Sequence, residues 1–227
     1  MTVLHLADEG EAADLAAFLS RLLHYDRGAA VRLQAAGTAL AVFGRPPSFE
    51  VLAIRAVRLG KPYENGLDVT LDVTVSAGEL LESIDEAAAT AVVPAAVTGP
   101  PWAGVLPPRG GWRREAGLPT PGELRAMVGV AVAEFRSRTQ ELAPERRTRA
   151  ELDRIGREIW SRTVGETPLP VRAVHAAQSL GFLRPRGAAG QGELGLLSSG
   201  AWLRLRTPYG SIAVRRAGLG ALDVSVR

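Results

Sequence analysis

The sequence has no cysteine, and among its 227 residues it has one lysine (Lys61) and one asparagine (Asn65). Without cysteine there is no disulfide, no thiolate nucleophile and no thiolate metal site. No run of roughly 18 apolar residues occurs, so no membrane-spanning helix is expected. The richest stretch, Ala87 to Val97, is mostly alanine and is interrupted by Pro94. Met1 to Glu9 turns acidic at once, unlike the basic-then-apolar opening of a secretory signal. A reducing, cytoplasmic setting fits these absences.

Arginine supplies almost all the positive charge, beside abundant Ala, Gly and Val. GC-rich codon usage accounts for that pattern, so the arginine count alone does not argue for phosphate binding. The distribution says more. Residues 1–99 carry seven Lys/Arg against thirteen Asp/Glu, a net of −6, whereas residues 100–227 carry twenty Arg against eleven Asp/Glu, a net of +9. Such asymmetry suits two modules, a basic surface with an anionic partner, or two halves that neutralise each other in place.

Periodicity defines an α+β protein. Leu15, Phe18, Leu19 and Leu22 make one apolar stripe and predict a helix over 8–25, with Asp8 and Glu11 as a capping pair. The period then changes to two, and four strands of an antiparallel meander are expected. Val31–Ala35 leads through an Ala36-Gly37-Thr38 turn into Ala39–Phe43, followed by Phe49–Leu59 and Leu67–Val75. Ser76 and Glu79 open a second helix through Leu80, Leu81 and Ile84. Residues 94–122 hold seven of the fifteen prolines, six glycines, Trp102 and Trp112. That composition predicts a loop strapped across the core with its indoles as anchors.

Three further helices are expected. Thr120-Pro121-Gly122-Glu123 is a capping box with proline at the first helical position. A second helix starts near Pro144 and buries Leu152, Ile155 and Ile159, and a third runs from Pro170 to Gly181. A C-terminal β-hairpin follows, Trp202–Arg206 and Ile212–Arg216 around Thr207-Pro208-Tyr209-Gly210. The expected organisation is an acidic half (1–99), a Pro/Gly-rich connector (100–121) and a basic helical half with the hairpin (122–227), as separate units or one continuous domain.

No catalytic constellation emerges. Gly190–Gly195 matches G-x-G-x-x-G but leads into a strand instead of a helix, so a loop is the better reading. Lys61 is followed by Pro62 where a Walker loop needs Ser or Thr. His5, His24 and His175 form no helical metal pattern. Asp68 and Asp72 stand four apart on a strand, roughly 13 Å at strand rise, too far to share an ion. Glu79, Glu82 and Glu86 read as a wet helix face. Arg149/Asp153/Arg157 and Arg154/Glu158/Arg162 read as ion-pair ladders. No cofactor and no metal is expected.

Two groups remain as candidate partner-binding residues. Arg172, His175 and Gln178 fall three apart on one helix, the most site-like polar trio in the chain, although a solvated helix face has the same spacing. In the hairpin, Trp202, Arg204 and Arg206 share a strand face, Tyr209 sits in the turn, and Arg215 and Arg216 return. No acidic residue lies between Leu194 and Asp223. Such a stripe can meet an anionic partner or stack bases, and it can equally blunt a sheet edge. Three helices before a basic hairpin also echo a winged helix-turn-helix, with Arg172, His175 and Gln178 as its base readers.

Gly28-Ala29-Ala30-Val31-Arg32-Leu33, Leu106-Pro107-Pro108-Arg109-Gly110-Gly111-Trp112 and Leu203-Arg204-Leu205-Arg206-Thr207-Pro208-Tyr209-Gly210-Ser211 resemble an uncharacterised family of actinobacterial proteins of this length. The chain is also similar to an actinobacterial regulator of the ParJ type that binds the ParA-type segregation ATPase. That resemblance implies a non-enzymatic, partner-binding role and assigns no residue by motif. The expected function is therefore a cytoplasmic interaction or regulatory protein with a protein partner and no membrane, open to self-association through its oppositely charged halves. A winged nucleic-acid-binding module is the alternative, and an enzyme with a site near His175 comes last.

Overall fold

The computed structural model describes residues 2–47, 49–63, 71–184 and 193–216. In chain order the elements are β1 (Val3–His5), α1 (Glu9–Tyr25), β2 (Ala30–Gly44), β3 (Leu52–Tyr63), β4 (Leu71–Ser76), α2 (Ala77–Glu82), β5 (Ile84–Asp85), β6 (Thr90–Val92), β7 (Arg113–Glu115), α3 (Pro121–Glu141), α4 (Arg149–Trp160), α5 (Val171–Ser179), β8 (Gly195–Ser199), β9 (Trp202–Thr207) and β10 (Gly210–Arg215). The protein is α+β. Its strands pair antiparallel in a seven-stranded sheet of order β4-β2-β3-β10-β9-β8-β7 and a small sheet β1-β6-β5.

The helices cover one face of the large sheet. Leu15, Phe18, Leu19 and Leu22 of α1 form the expected apolar stripe, and Asp8 Oδ1 caps the helix by accepting from the Glu11 N–H at 2.8 Å. Leu124 and Val128 of α3, Ile155 and Ile159 of α4, and Val171 and Val174 of α5 join the same core as the inward residues of the strands. The α3 capping box forms in full, with the Glu123 carboxylate accepting from the Thr120 N–H at 2.8 Å. α2 stops at Glu82, so Ile84 lies in a strand and not in the helix expected through it.

The turn expected at Ala36–Thr38 is instead a β-bulge inside one long strand. Gly37 takes φ +55, and the register shifts between Gly37 and Ala39. An extra residue in a strand reverses the alternation beyond it. Accordingly Val31, Leu33 and Ala35 point into the core before the bulge, and Leu40 and Val42 after it. β2 thereby serves two neighbours, pairing with β4 through residues 30–35 and with β3 through residues 37–44. Residues 64–70, which include Leu67, Asp68 and Val69 of the expected fourth strand, lie outside the described residues. So do Gly190, Gln191 and Gly192 of the glycine-rich match, whose last residue, Gly195, opens β8.

The connector crosses the outer face of the sheet. There Phe43, Leu52, Ile54 and Ala213 form a second, smaller cluster, with Trp102, Leu106 and Trp202 packed against it. Trp102 is thus an anchor of the strap. The connector also contributes β7, a strand that composition alone did not indicate, paired to β8 at the sheet edge.

Arg55 ties these parts together. It is 6% exposed and donates to Glu11 Oε2 at 2.8 Å, to Asp14 Oδ2 at 3.3 Å and to the Tyr209 carbonyl at 2.8 Å. Arg58 donates to the other Glu11 oxygen at 2.9 Å and to Asp8 at 3.1 Å. Arg184 pairs with Asp14 and lies over the Tyr209 ring, 3.8 Å from its centroid. One side of α1 thus holds β3 and the turn between β9 and β10 through a buried ionic cluster. Breaking such a cluster by removing one member leaves uncompensated buried charge and costs about 3–5 kcal/mol, whereas replacing a whole pair with apolar groups is far milder. Arg55→Ala is therefore expected to lose about 3–5 kcal/mol in urea denaturation. Glu11→Leu combined with Arg55→Met is expected to lose less than Arg55→Ala alone; a larger loss would refute this account of the cluster.

Candidate functional site

The two groups of candidate residues meet opposite fates. α5 packs against α3, α4 and β10, and Val171, Ala173, Val174, Ala176 and Ala177 are buried. Of the polar trio only Gln178 is exposed, while Arg172 and His175 are half-buried. The His175 ring stacks on Trp160 at 4.6 Å and meets Phe49 edge-on at 5.1 Å. Phe49 continues to Tyr25 at 5.3 Å, so His175 sits inside a row of aromatic rings. Burial lowers its pKa below the ordinary value, because the imidazolium would lose its water there. The Arg172 Nε is buried without a hydrogen-bond partner.

The hairpin stripe holds together on the outer face. Along β9, Leu203 and Leu205 are buried, and Trp202, Arg204 and Arg206 project to the opposite side. Arg215 of β10 pairs in register with Trp202, and its guanidinium lies 5.2 Å from the indole. Arg204 pairs with Ala213 on one side and with Leu197 of β8 on the other, and Leu197 in turn faces Arg114 of β7. Trp112, placed at the end of the strap by the bond from its Nε1 to the Pro108 carbonyl at 3.0 Å, comes within 5.8 Å of the Arg204 guanidinium. The sequence did not couple Trp112 to the hairpin; only the β7–β8 pairing brings it there.

Two members of the expected stripe go elsewhere. Tyr209 is 4% exposed and held beneath Arg184, with its carbonyl on Arg55, because the turn folds inward onto α1. Gly210 permits that approach, since a Cβ there would lie 2.6 Å from the Phe182 ring. Arg216 pairs with Glu115 of β7 at 3.1 Å.

Along β9 and β10 the charge of the outer face is uncompensated among the described residues. Among the described residues Arg204, Arg206 and Arg215 form no salt bridge, and the Arg204 Nε is buried without an acceptor. Burial first, and the neighbouring Arg206 second, hold the Arg204 pKa below its ordinary value, which still leaves it charged at neutral pH. The other arginine-rich surface is satisfied internally. Arg138 grips Glu158 with two bonds of 2.7 and 2.8 Å, Arg162 pairs with Glu134, and Glu158 is drawn down to about 2. Of the ladders expected here, Arg154–Glu158–Arg162 forms in full, at 3.8 and 3.6 Å, whereas the other forms only its Arg149–Asp153 rung, at 3.8 Å, and among the described residues Arg157 makes no ion pair; the network around Glu134 and Glu158 clips α3 to α4. Among the described residues no three His, Asp or Glu side chains gather as a metal site, and no helix is long and apolar enough to cross a membrane.

The structure thus defines an α+β protein with a helical layer on one side of its sheet and an arginine–tryptophan face on the other. The chain carries two domains of unknown function: residues 1–104 match DUF8010 and residues 107–219 match DUF8185. Strands from both matched regions share the seven-stranded sheet, meeting where β3 pairs with β10. No match is found among curated proteins or among solved structures.

The environment of His175 has a consequence for pH. A lowered folded pKa means that the unfolded chain takes up the proton first, so this group's contribution to stability is present above about pH 6.5 and is lost as pH falls towards the folded value. Urea midpoints of the parent and of His175→Phe, compared at about pH 7.5 and about pH 5.5, are expected to show a smaller acid loss in the variant. Equal losses would mean that His175 keeps its ordinary affinity for protons.

Proposed function

We propose that the protein is a non-enzymatic interaction protein that docks an acidic protein surface on the outer face of β9 and β10. The carrying observation is the run of Arg204, Arg206 and Arg215, three guanidinium groups with no carboxylate partner among the described residues, framed by Trp112 and Trp202. An acidic partner balances that charge, and Trp and Arg are among the residues that most often dominate protein interfaces. A regulatory, cytoplasmic role follows from this reading, and the segregation ATPase implied by the resemblance is its most specific form.

The alternatives have less support. A winged module needs a helix free to enter a groove, and on α5 only Gln178 is fully exposed, with Arg172, His175 and Ser179 half-buried. Chemistry at His175 would need substrate access to a ring stacked between Trp160 and Phe49.

Affinity capture of the tagged chain from its host, with and without nuclease, tests the reading when run beside Arg204→Ala/Arg206→Ala/Arg215→Ala. An acidic protein retained at near-equal amount after nuclease, and lost from the triple variant, is the expected result. Partners that vanish with nuclease alongside recovered nucleic acid would transfer the face to nucleic-acid binding. Capture that is indifferent to the triple substitution would remove the face from the interaction altogether.

A further inference from the structure

On the helical side of the sheet, at its β7–β8 edge, lies a cavity of about 600 Å3. Its walls are the connector residues Leu118 and Pro119, the first turn of α3, the segment 182–184 and the start of β8. Charged and apolar residues share the lining; on its apolar side Leu118 and Leu194 are half-buried and packed on the core, and Leu196 and Phe182 are buried. Size and character match sites for small organic molecules, which run roughly 300–1,000 Å3 with a few placed polar groups.

The charges around the cavity are nearly all committed. Arg114 pairs with Glu193 at 3.1 Å, Glu115 with Arg216 at 3.1 Å, and Arg184 with Asp14. That leaves Arg125. One of its N–H groups donates to the neutral Leu183 carbonyl at 3.0 Å, and among the described residues it has no carboxylate partner. A guanidinium carries five donors, so four remain for a ligand. The lining therefore presents one unbalanced positive charge beside an apolar wall.

We propose that this cavity binds a small amphipathic anion, the carboxylate or phosphate of an otherwise apolar molecule. Its head group lies on Arg125 and its body against Leu118 and Leu194. Arginine is suited to such heads because its planar fork meets two oxygens at once. The site is separate from the outer face of β9 and β10 and does not depend on the docking role proposed for it.

Titration calorimetry on the full chain tests the proposal with four probes: octanoate, octyl phosphate, octanol and inorganic phosphate. At least one of the two amphipathic anions is expected to bind one to one, with octanol and inorganic phosphate weaker by about tenfold or more. Arg125→Gln is expected to weaken that anion by about tenfold or more, and Arg125→Lys by less. Should Arg125→Gln fail to fold, Leu194→Asp sets a repelling carboxylate in the wall and is expected to abolish binding. Arg204→Ala is expected to change nothing here, which separates this site from the docking face. No binding of either anion, octanol binding as tightly as octanoate, or binding unchanged in both Arg125→Gln and Leu194→Asp would overturn the proposal.

Discussion

The guanidinium of Arg55 is the constraint on which the architecture turns. It is buried on β3, and a buried charge must be surrounded by acceptors or it will not stay buried. Its acceptors come from both ends of the sequence: two carboxylates of α1 and the carbonyl of Tyr209 in the last turn. Satisfying one side chain therefore fixes where α1 lies over the sheet and how the terminal hairpin enters it. The acidic surplus of the first half and the basic surplus of the second meet in part here, where Asp14 receives Arg184.

Local signals were legible where local physics decides the outcome. The apolar stripe of α1, the caps at Asp8, Ser76 and Thr120, and the alternation of β9 all follow from residues within a turn or two of one another. What was not legible depends on distant partners. Ala36-Gly37-Thr38 has the composition of a turn, and only the competing demands of β3 and β4 on one strand make it a bulge. β7 is three residues of charge whose strand character comes wholly from β8. Pairing of β3 with β10 joins residues more than 150 positions apart and leaves no trace in either segment.

The candidate site divides along the same line. Trp202, Arg204 and Arg206 share a face because strands alternate, which the sequence shows directly. Tyr209 and Arg216 leave that face because Arg184, Arg55 and Glu115 are nearby in space, which it does not show. Arg172 and His175 looked polar enough for a surface, yet the small residues beside them, Ala173, Ala176 and Ala177, let α5 sink between α3, α4 and the sheet until little but Gln178 is left outside. The unbalanced Arg125 was hidden for a simpler reason. Its isolation is visible only once every neighbouring charge has been matched.

The central position of β10 in the large sheet also sets an order of events at the ribosome. β3 has β2 on one side from early in synthesis, and Leu6 bridges Leu59 on the other, but the stretch Leu52–Ile54 of that second side stays open until residues 210–215 emerge and pair with it. For most of translation the first half therefore presents an unfinished sheet edge, the kind of surface that recruits stray strands. Closing it requires a contact of very long sequence separation, which is slow. A nascent chain of this design spends its most aggregation-exposed interval waiting for its own final hairpin.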